Sequence, residues 1–449
     1  MKFSASTICP KLMNCDSTGQ YFAMILSCLL VVFPALLYAD DEFSFDLEEF
    51  EKKTIEWGGY GELKWEQMDI NRGSAFALLN LADQSISTLE SFGGSLQIDG
   101  HYTKGIISFD CILKASASQD DFGRADAVDI YEACFSVKPT PLFTASAGKK
   151  AYRWGKGYAW NPVGFINRAK DPNNPEEALE GYTTAEADLI KSFSGPVQTA
   201  ALTIVVLPTW QDVNEDFGEI NNINLAARLY LLYRDTDIDL IGYTGNSRST
   251  RYGLDFSRNL APNFEIHGEL AYVPSQKKVI LQEDGSWLIR EAAAHSYLLG
   301  LRYLSKNDIT SIIEYYHNDA GYTEEESERF FQLVTDGENR FLASGSDVLL
   351  EMAKDISRHG YGKPQPGRNY LYARFTQKEP FDILYFSPGL NTIINLEDKS
   401  YSISPELVYT RFTNLEFRMR FSYLNGGTFT EYGEKTNSNK LELRARYFF

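Results

Sequence analysis

At 449 residues with a formal charge of −18, the chain is long and strongly acidic, which argues against nucleic acid as a partner, since such affinity rests on cations neutralising phosphates. Hydrophobic content is ordinary at 43%, but aromatics reach 14%, with 27 Tyr and 29 Phe. Only five His and five Cys are present, and no HExxH, GxSxG, CxxC or CxxCH pattern occurs, so neither a zinc protease, a serine hydrolase nor a covalent haem carrier is indicated.

The one sustained apolar run is "YFAMILSCLLVVFPALLY", residues 21–38, preceded by Lys2 and Lys11. With Ala39 at a cleavage position, residues 1–39 read as a secretory signal peptide. Residues 40–54 form an acidic segment expected on the periplasmic side. The cysteines that remain are Cys111 and Cys134. Cys111 shares a strand face with Phe109 and Leu113, and Cys134 shares one with Glu132 and Ser136. The two faces are opposite, so no disulfide is expected.

From residue 55 onward, period-2 alternation marks strands at 55–67, 89–101, 104–116, 126–138, 141–152, 183–193, 197–208, 223–234, 236–245, 249–259, 263–273, 294–305, 308–317, 369–378, 382–394, 400–410, 413–424 and 440–449. Eighteen strands result; sixteen is the alternative if the hairpin around 235–260 is misread. Connections alternate between tight turns ("TK", "PT", "SGP", "APN", "KN") and long segments such as 68–88, 117–125, 153–182, 209–222, 274–293, 318–368 and 425–439. Strand faces also separate. In 413–424, Leu415, Phe417, Met419, Phe421 and Tyr423 alternate with Glu416, Arg418, Arg420 and Ser422, and in 263–273 Glu265, His267 and Glu269 share the polar face. A lipid-facing Lys or Arg near the midplane costs roughly 2–4 kcal/mol, so the charged face must point into a barrel. The expected architecture is all-β: a transmembrane antiparallel up-and-down β-barrel over 55–449.

The last residues, "KLELRARYFF", place Leu441, Leu443, Ala445, Tyr447 and Phe449 on one face. This resembles the C-terminal assembly signal of bacterial outer-membrane β-barrels, in which an alternating strand closes on an aromatic. The resemblance implies a Gram-negative outer membrane, contact with its lipid, and recognition of Tyr447 and Phe449 by the barrel-assembly machinery. Order and spacing of elements over nearly the whole mature chain are similar to those of the general porin family, whose third outer loop folds into the barrel and narrows it. Strand number is also similar to that of alginate-export-type channels.

By that resemblance, "RWGKGYAWNPVGFINRAKDPNNPEEALEGY", residues 153–182, is the third outer loop and the pore constriction. Arg153, Trp154, Lys156, Tyr158, Trp160, Asn161, Arg168 and Lys170 are its candidate residues, with cations early and carboxylates (Asp171, Glu176, Glu177, Glu180) late. Gly155, Gly157 and Gly164 permit tight backbone. "NPEEALE" reads as a helical turn with Asn174 as N-cap, Pro175 at its first position and Glu177 completing a capping box. Trp154, Tyr158, Trp160 and Phe165 either anchor the loop to the wall or offer stacking faces to a solute.

Candidate lumen cations are Arg418, Arg420, Arg444, Arg446, Arg228 and Arg374, with Arg234 and Arg302 added on other strands. They oppose acids that include Asp239, Asp255, Glu269, Glu314, Glu406 and Glu442, and most are expected to pair across strands. In 318–368, Phe330, Phe331 and Leu333, then Val348, Leu349, Met352 and Ile356, have the spacing of two helical faces, read as a cap over the pore in preference to a surface that docks a partner. His267, between Glu265 and Glu269, is the single histidine placed for chemistry, and its surroundings suit a hydrogen-bonded wall residue better. The protein is therefore read as non-enzymatic, without metal or cofactor. Two functions remain: a porin-like channel for small polar or anionic solutes, oligosaccharides among them, or a scaffold holding a periplasmic export component or multihaem cytochrome.

Overall fold

A computed structural model of the chain describes residues 54–81 and 86–449. The signal peptide expected over 1–39 and most of the acidic segment at 40–54 lie outside the described residues. Among the described residues, eighteen strands form one antiparallel sheet: β1 (Ile55–Ile70), β2 (Thr88–Lys104), β3 (Ile107–Asp120), β4 (Gly123–Thr140), β5 (Phe143–Lys150), β6 (Tyr182–Ser192), β7 (Val197–Thr209), β8 (Asn222–Tyr233) and β9 (Thr236–Thr244) make the first half. The second half is β10 (Arg251–Ala261), β11 (Phe264–Leu281), β12 (Trp287–Leu304), β13 (Ile309–Asn318), β14 (Asn369–Gln377), β15 (Phe386–Asn395), β16 (Tyr401–Tyr409), β17 (Leu415–Asn425) and β18 (Asn437–Phe448).

Each strand pairs with its sequence neighbours, and β18 pairs with β1 from Tyr60↔Phe448 to Ile70↔Asn437. That closure removes the sheet edge, which lipid cannot satisfy with hydrogen bonds. At the seam the Gly59 and Phe449 backbones exchange two bonds of 3.1 Å, and the Phe449 ring lies 6.0 Å from Trp57. The chain is thus a closed eighteen-stranded up-and-down barrel of the outer-membrane type, and the sixteen-strand alternative fails because β9 and β10 are separate, mutually paired strands.

Alternation sorts the side chains as lipid demands. On β17, Phe417, Met419, Phe421 and Tyr423 are exposed outward at 40–42%, while Arg420 on the other face is 5% exposed. Tyr233, Tyr252, Tyr303 and Tyr423 are exposed near strand ends, as an interfacial aromatic girdle requires. None of the described helices is long and apolar enough to cross a membrane, which leaves the strands as the spanning elements. Cys111 and Cys134 are both free. Cys111 pairs with Ala133 and Cys134 with Asp110, which keeps the two thiols on opposite faces.

Several expected loops are shorter than the alternation suggested. Segment 117–125 is a hairpin whose connection is only 121–122, and 274–293 is mostly strand, with the turn at 282–286. Residues 123–130 are exposed on both faces, and the hairpin there lacks the buried inward face seen along the other strands. A short helix, α1 (Ala75–Leu81), was not expected. The two helices expected in the long loop exist as α2 (Glu324–Ser344) and α3 (Val348–Ile356). Thr323 caps α2 reciprocally with Glu326. Phe330, Phe331, Val334, Leu350 and Ile356 are buried together with Ala75, Leu79, Val279 and Leu281. Val348 was expected on the buried face but is 64% exposed, and Leu350 takes its place.

Candidate functional site

Segment 151–181 leaves β5 and enters the lumen as irregular chain. Its backbone N–H groups have no neighbouring strand, so each needs another acceptor. Wall carboxylates supply them. Glu269 on β11 accepts bonds from the backbone N–H of Lys156 (2.6 Å), Gly157 (2.7 Å) and Val163 (3.2 Å) and from the Asn161 amide (2.9 Å). Glu314 on β13 accepts from the N–H groups of Tyr158 (2.5 Å) and Ala159 (2.8 Å). Successive backbone donors of this kind make a concavity suited to an anion, and here the anion is the barrel's own side chain. Glycine is required at two of these points: Gly155 has φ +103°, and a Cβ on Gly157 would stand 2.0 Å from the Trp160 carbonyl oxygen.

From this anchor the segment crosses the lumen. The Trp160 indole stacks on Tyr316 with centroids 5.1 Å apart and packs against Tyr370 and Tyr372 on β14. Trp154 and Phe165 are 3% and 2% exposed and join a second buried cluster on β7–β9. Both tryptophans and Phe165 therefore anchor the loop: Trp154 and Phe165 are fully covered, and Trp160 is partly covered. Further along, Glu176 meets Arg374 of β14 (3.3 Å), Asn173 accepts a bond from Asn391 of β15, and Glu177 meets Lys114 of β3 (3.4 Å). The loop thus touches wall strands from β3 to β15.

The turn expected from Asn174 forms as a single turn, closed by the Glu177 N–H on the Asn174 carbonyl (3.2 Å), but no helix follows it. The expected capping box is not made: the Asn174 amide donates to the Glu177 carboxylate (2.6 Å), which also meets Lys114 of the wall (3.4 Å). Burial pushes the Glu177 carboxyl up, but Lys114 and Arg444 outweigh it and hold it below the ordinary value.

The loop cations divide. Lys156 pairs with Asp239 (2.8 Å) and lies 3.8 Å from Asp255. Burial alone would push its ammonium down, yet those carboxylates hold it above the ordinary value. Arg168 pairs with Asp216 and, at 3.5 Å, with Glu180, over the Tyr182 ring. Lys170 donates to the Gly157 carbonyl (2.9 Å), and burial lowers its pKa. Tyr158 is half-buried, with Arg302 donating to its hydroxyl at 3.5 Å. Arg153 alone among these is exposed and makes no hydrogen bond or ion pair with a described residue.

The wall arginines are mostly paired. Arg418 meets Glu416 (3.1 Å), Arg420 donates to Glu406 (2.9 Å), Arg444 meets Glu442 (2.6 Å) and Arg446 donates to Glu62 (2.9 Å). Arg228 lies 3.9 Å from Asp239 and against the Trp154 ring. Arg234 is not a wall residue: it sits in the turn between β8 and β9. His267 is 1% exposed, with Nε2 2.9 Å from Glu314 Oε1 and a Glu265 oxygen 3.6 Å from Nδ1. It braces the carboxylate that holds the loop and has no access to solutes.

Sequence reasoning placed Glu269 and Glu314 on the inward face but did not assign them the loop. It also missed Asn167, whose amide bonds both the N–H and the carbonyl of Trp154, and the last outer loop, where Glu431 accepts from Tyr370 and Asn395. Their parity was readable, but their partners were not.

No family model matches the sequence, and no curated protein matches it. Among solved structures, OccAB1 of Acinetobacter baumannii aligns over 88% of this chain and 97% of its own, at TM-score 0.52 and 8% identity. Wzi of Escherichia coli, an outer-membrane protein involved in group 1 capsule assembly and described as a carbohydrate-binding β-barrel, aligns over 86% of this chain and 83% of its own, at 0.50 and 11%. These likenesses agree with the barrel fold.

Proposed function

We propose that the protein is a non-catalytic outer-membrane channel for small polar solutes, anionic ones and oligosaccharides among them, with segment 153–182 as its constriction. The observation that carries this reading is the loop's crossing of the lumen from Glu269 and Glu314 to Arg374 and Lys114. A wide barrel leaves a channel unless something narrows it, and this segment occupies that place. Wzi, which shares the fold, is described as binding carbohydrate, and the charged side chains of loop and wall here suit hydroxylated or acidic solutes. Within the constriction, Trp154, Trp160 and Asn161 hold the loop, Lys156, Arg168 and Lys170 are tied to it or to the wall, and Arg153 faces the passage. The paired strip of Arg418, Arg420, Arg444, Arg446, Arg228 and Arg374 lines the wall with fixed charge, and rings of charge set ion preference in pores. We assign Tyr447 and Phe449 to recognition by the barrel-assembly machinery.

The test is single-channel recording in planar bilayers. The wild-type protein gives discrete conductance steps, and Arg153→Glu shifts selectivity toward cations. A shift of selectivity toward cations without loss of conductance supports the constriction; unchanged selectivity removes Arg153 from it. A barrel that passes no ions sinks the channel reading. The scaffold reading has one observation in its favour: Phe381, Ile383, Leu384 and Tyr385, in the turn between β14 and β15 on the tight-turn side, are exposed at 93%, 50%, 62% and 49%. A non-conducting barrel that copurifies with a periplasmic protein would establish it.

A further inference from the structure

The outer part of the β11–β12 hairpin breaks a rule of strand pairing. Lys278 and Arg290 stand directly opposite each other, and like charges so placed destabilise a strand pair. Both line a cavity of about 240 Å³ that also takes in a third cation, Arg368, from the end of the long outer loop. In a chain of formal charge −18, three cations converging on one cavity need an account.

The neighbouring acids do not supply it. Glu326 pairs with Lys278 at 2.7 Å, and the same oxygen accepts the Thr323 backbone N–H that closes the α2 capping box. Asp319, the other acid at the cavity, is engaged by His317 at 3.0 Å and by the His295 backbone N–H at 3.0 Å. Lys278 is thus neutralised and Glu326 is shared with Arg368, which leaves three cations facing two acids. Arg368 gives one bond of 3.3 Å to the Gly321 carbonyl. Arg290 is exposed and makes no hydrogen bond or ion pair with a described residue.

We propose that this cavity is an oxyanion site, taking the carboxylate or phosphate group of a small ligand at the outer mouth of the barrel. Arg290 and Arg368 donate to it, since the planar guanidinium matches such groups with two parallel bonds, and Lys278 adds charge from the opposite strand. The bound anion offsets the repulsion between Lys278 and Arg290, so the local cost becomes binding selectivity. As a capture point before passage, the site rests on the channel reading; as a binding site it does not.

The experiment is calorimetric titration of the full purified protein in detergent with D-galacturonate, inorganic phosphate and neutral D-galactose. Galacturonate or phosphate binds, galactose does not, and added salt weakens the binding. Arg290→Gln, at an exposed position that should not disturb folding, lowers the anion affinity about tenfold, the size of one lost charged hydrogen bond, and Arg368→Gln does the same. Competition by phosphatidylcholine vesicles carrying lipid A identifies a lipid phosphate as the occupant; indifference to them identifies a soluble acid. Equal binding of galactose, no binding of either anion, or unchanged affinity in both variants overturns the site. Bilayer conductance of the same preparations is read separately. Anion binding without conductance breaks the channel reading alone, and conductance without anion binding breaks this site alone.

Discussion

Segments 151–181 and 319–368 both leave the wall on the side of the long loops, but their backbone polar groups find partners by different means. The longer one folds into α2 and α3, which satisfy themselves internally and then bury Phe330, Phe331 and Leu350 against α1 and the end of β11. The shorter one forms no regular element. It takes its acceptors from Glu269 and Glu314, side chains more than a hundred positions further along the chain. The helical outer loop is positioned by apolar contact and tolerates local adjustment. The irregular lumenal loop is positioned by charged bonds to the wall together with the packing of Trp154, Trp160 and Phe165.

That contrast can be broken at either end. The largest effect is expected from Phe330→Ala, a fully buried ring whose removal costs roughly 3–5 kcal/mol. Hydrogen exchange should speed up across 319–368 while 151–181 stays protected; loosening of both segments together would show that they are not independent. Glu269→Gln comes next. One acceptor oxygen remains but the charge is lost, which weakens the anchor by about 1.5–3 kcal/mol. Single-channel recordings should then show larger and noisier steps, with no change in hydrogen exchange over α2. A conductance identical to wild type would mean that the aromatic packing of Trp160 holds the loop alone.

The smallest effect is expected at the start of α2, where Thr323→Ala removes half of the reciprocal cap and costs about 1 kcal/mol. The same helix end should respond to acid. Burial pushes the Glu326 carboxyl up, but the bonds from Lys278 and Thr323 outweigh it and hold it below the ordinary value. A carboxyl held low in the folded state contributes stability that is complete above the unfolded value and is lost as pH falls through the folded one. Protection of the amides at the start of α2, relative to their intrinsic exchange rate at each pH, should therefore fall in acid in the wild type and fall less in Glu326→Gln. An acid response equal in the two proteins would place the sensitive group elsewhere.

Strand number, the inward and outward faces and the alternation of tight and long connections were legible in the chain, because a spanning strand must alternate between lipid and lumen at every second residue. The same logic made the mutual neutralisation of Arg418, Arg420, Arg444 and Arg446 foreseeable, since their partners lie on the same face of the same or adjacent strands. The 117–125 and 274–293 hairpins were misjudged where that logic lapses: residues 121–130 are exposed on both faces, and the end of β11 packs on the helices of the long loop. Segment 153–182 showed its glycines, cations and carboxylates, but not which wall residues receive them. Lys156 beside Asp239, Gly157 on Glu269 and Glu177 on Lys114 are meetings across the lumen between distant parts of the chain. Periodicity is a local property and reports only which way a side chain points. Which side chains meet across the lumen is set by the closure and curvature of all eighteen strands together, and only the folded barrel decides it.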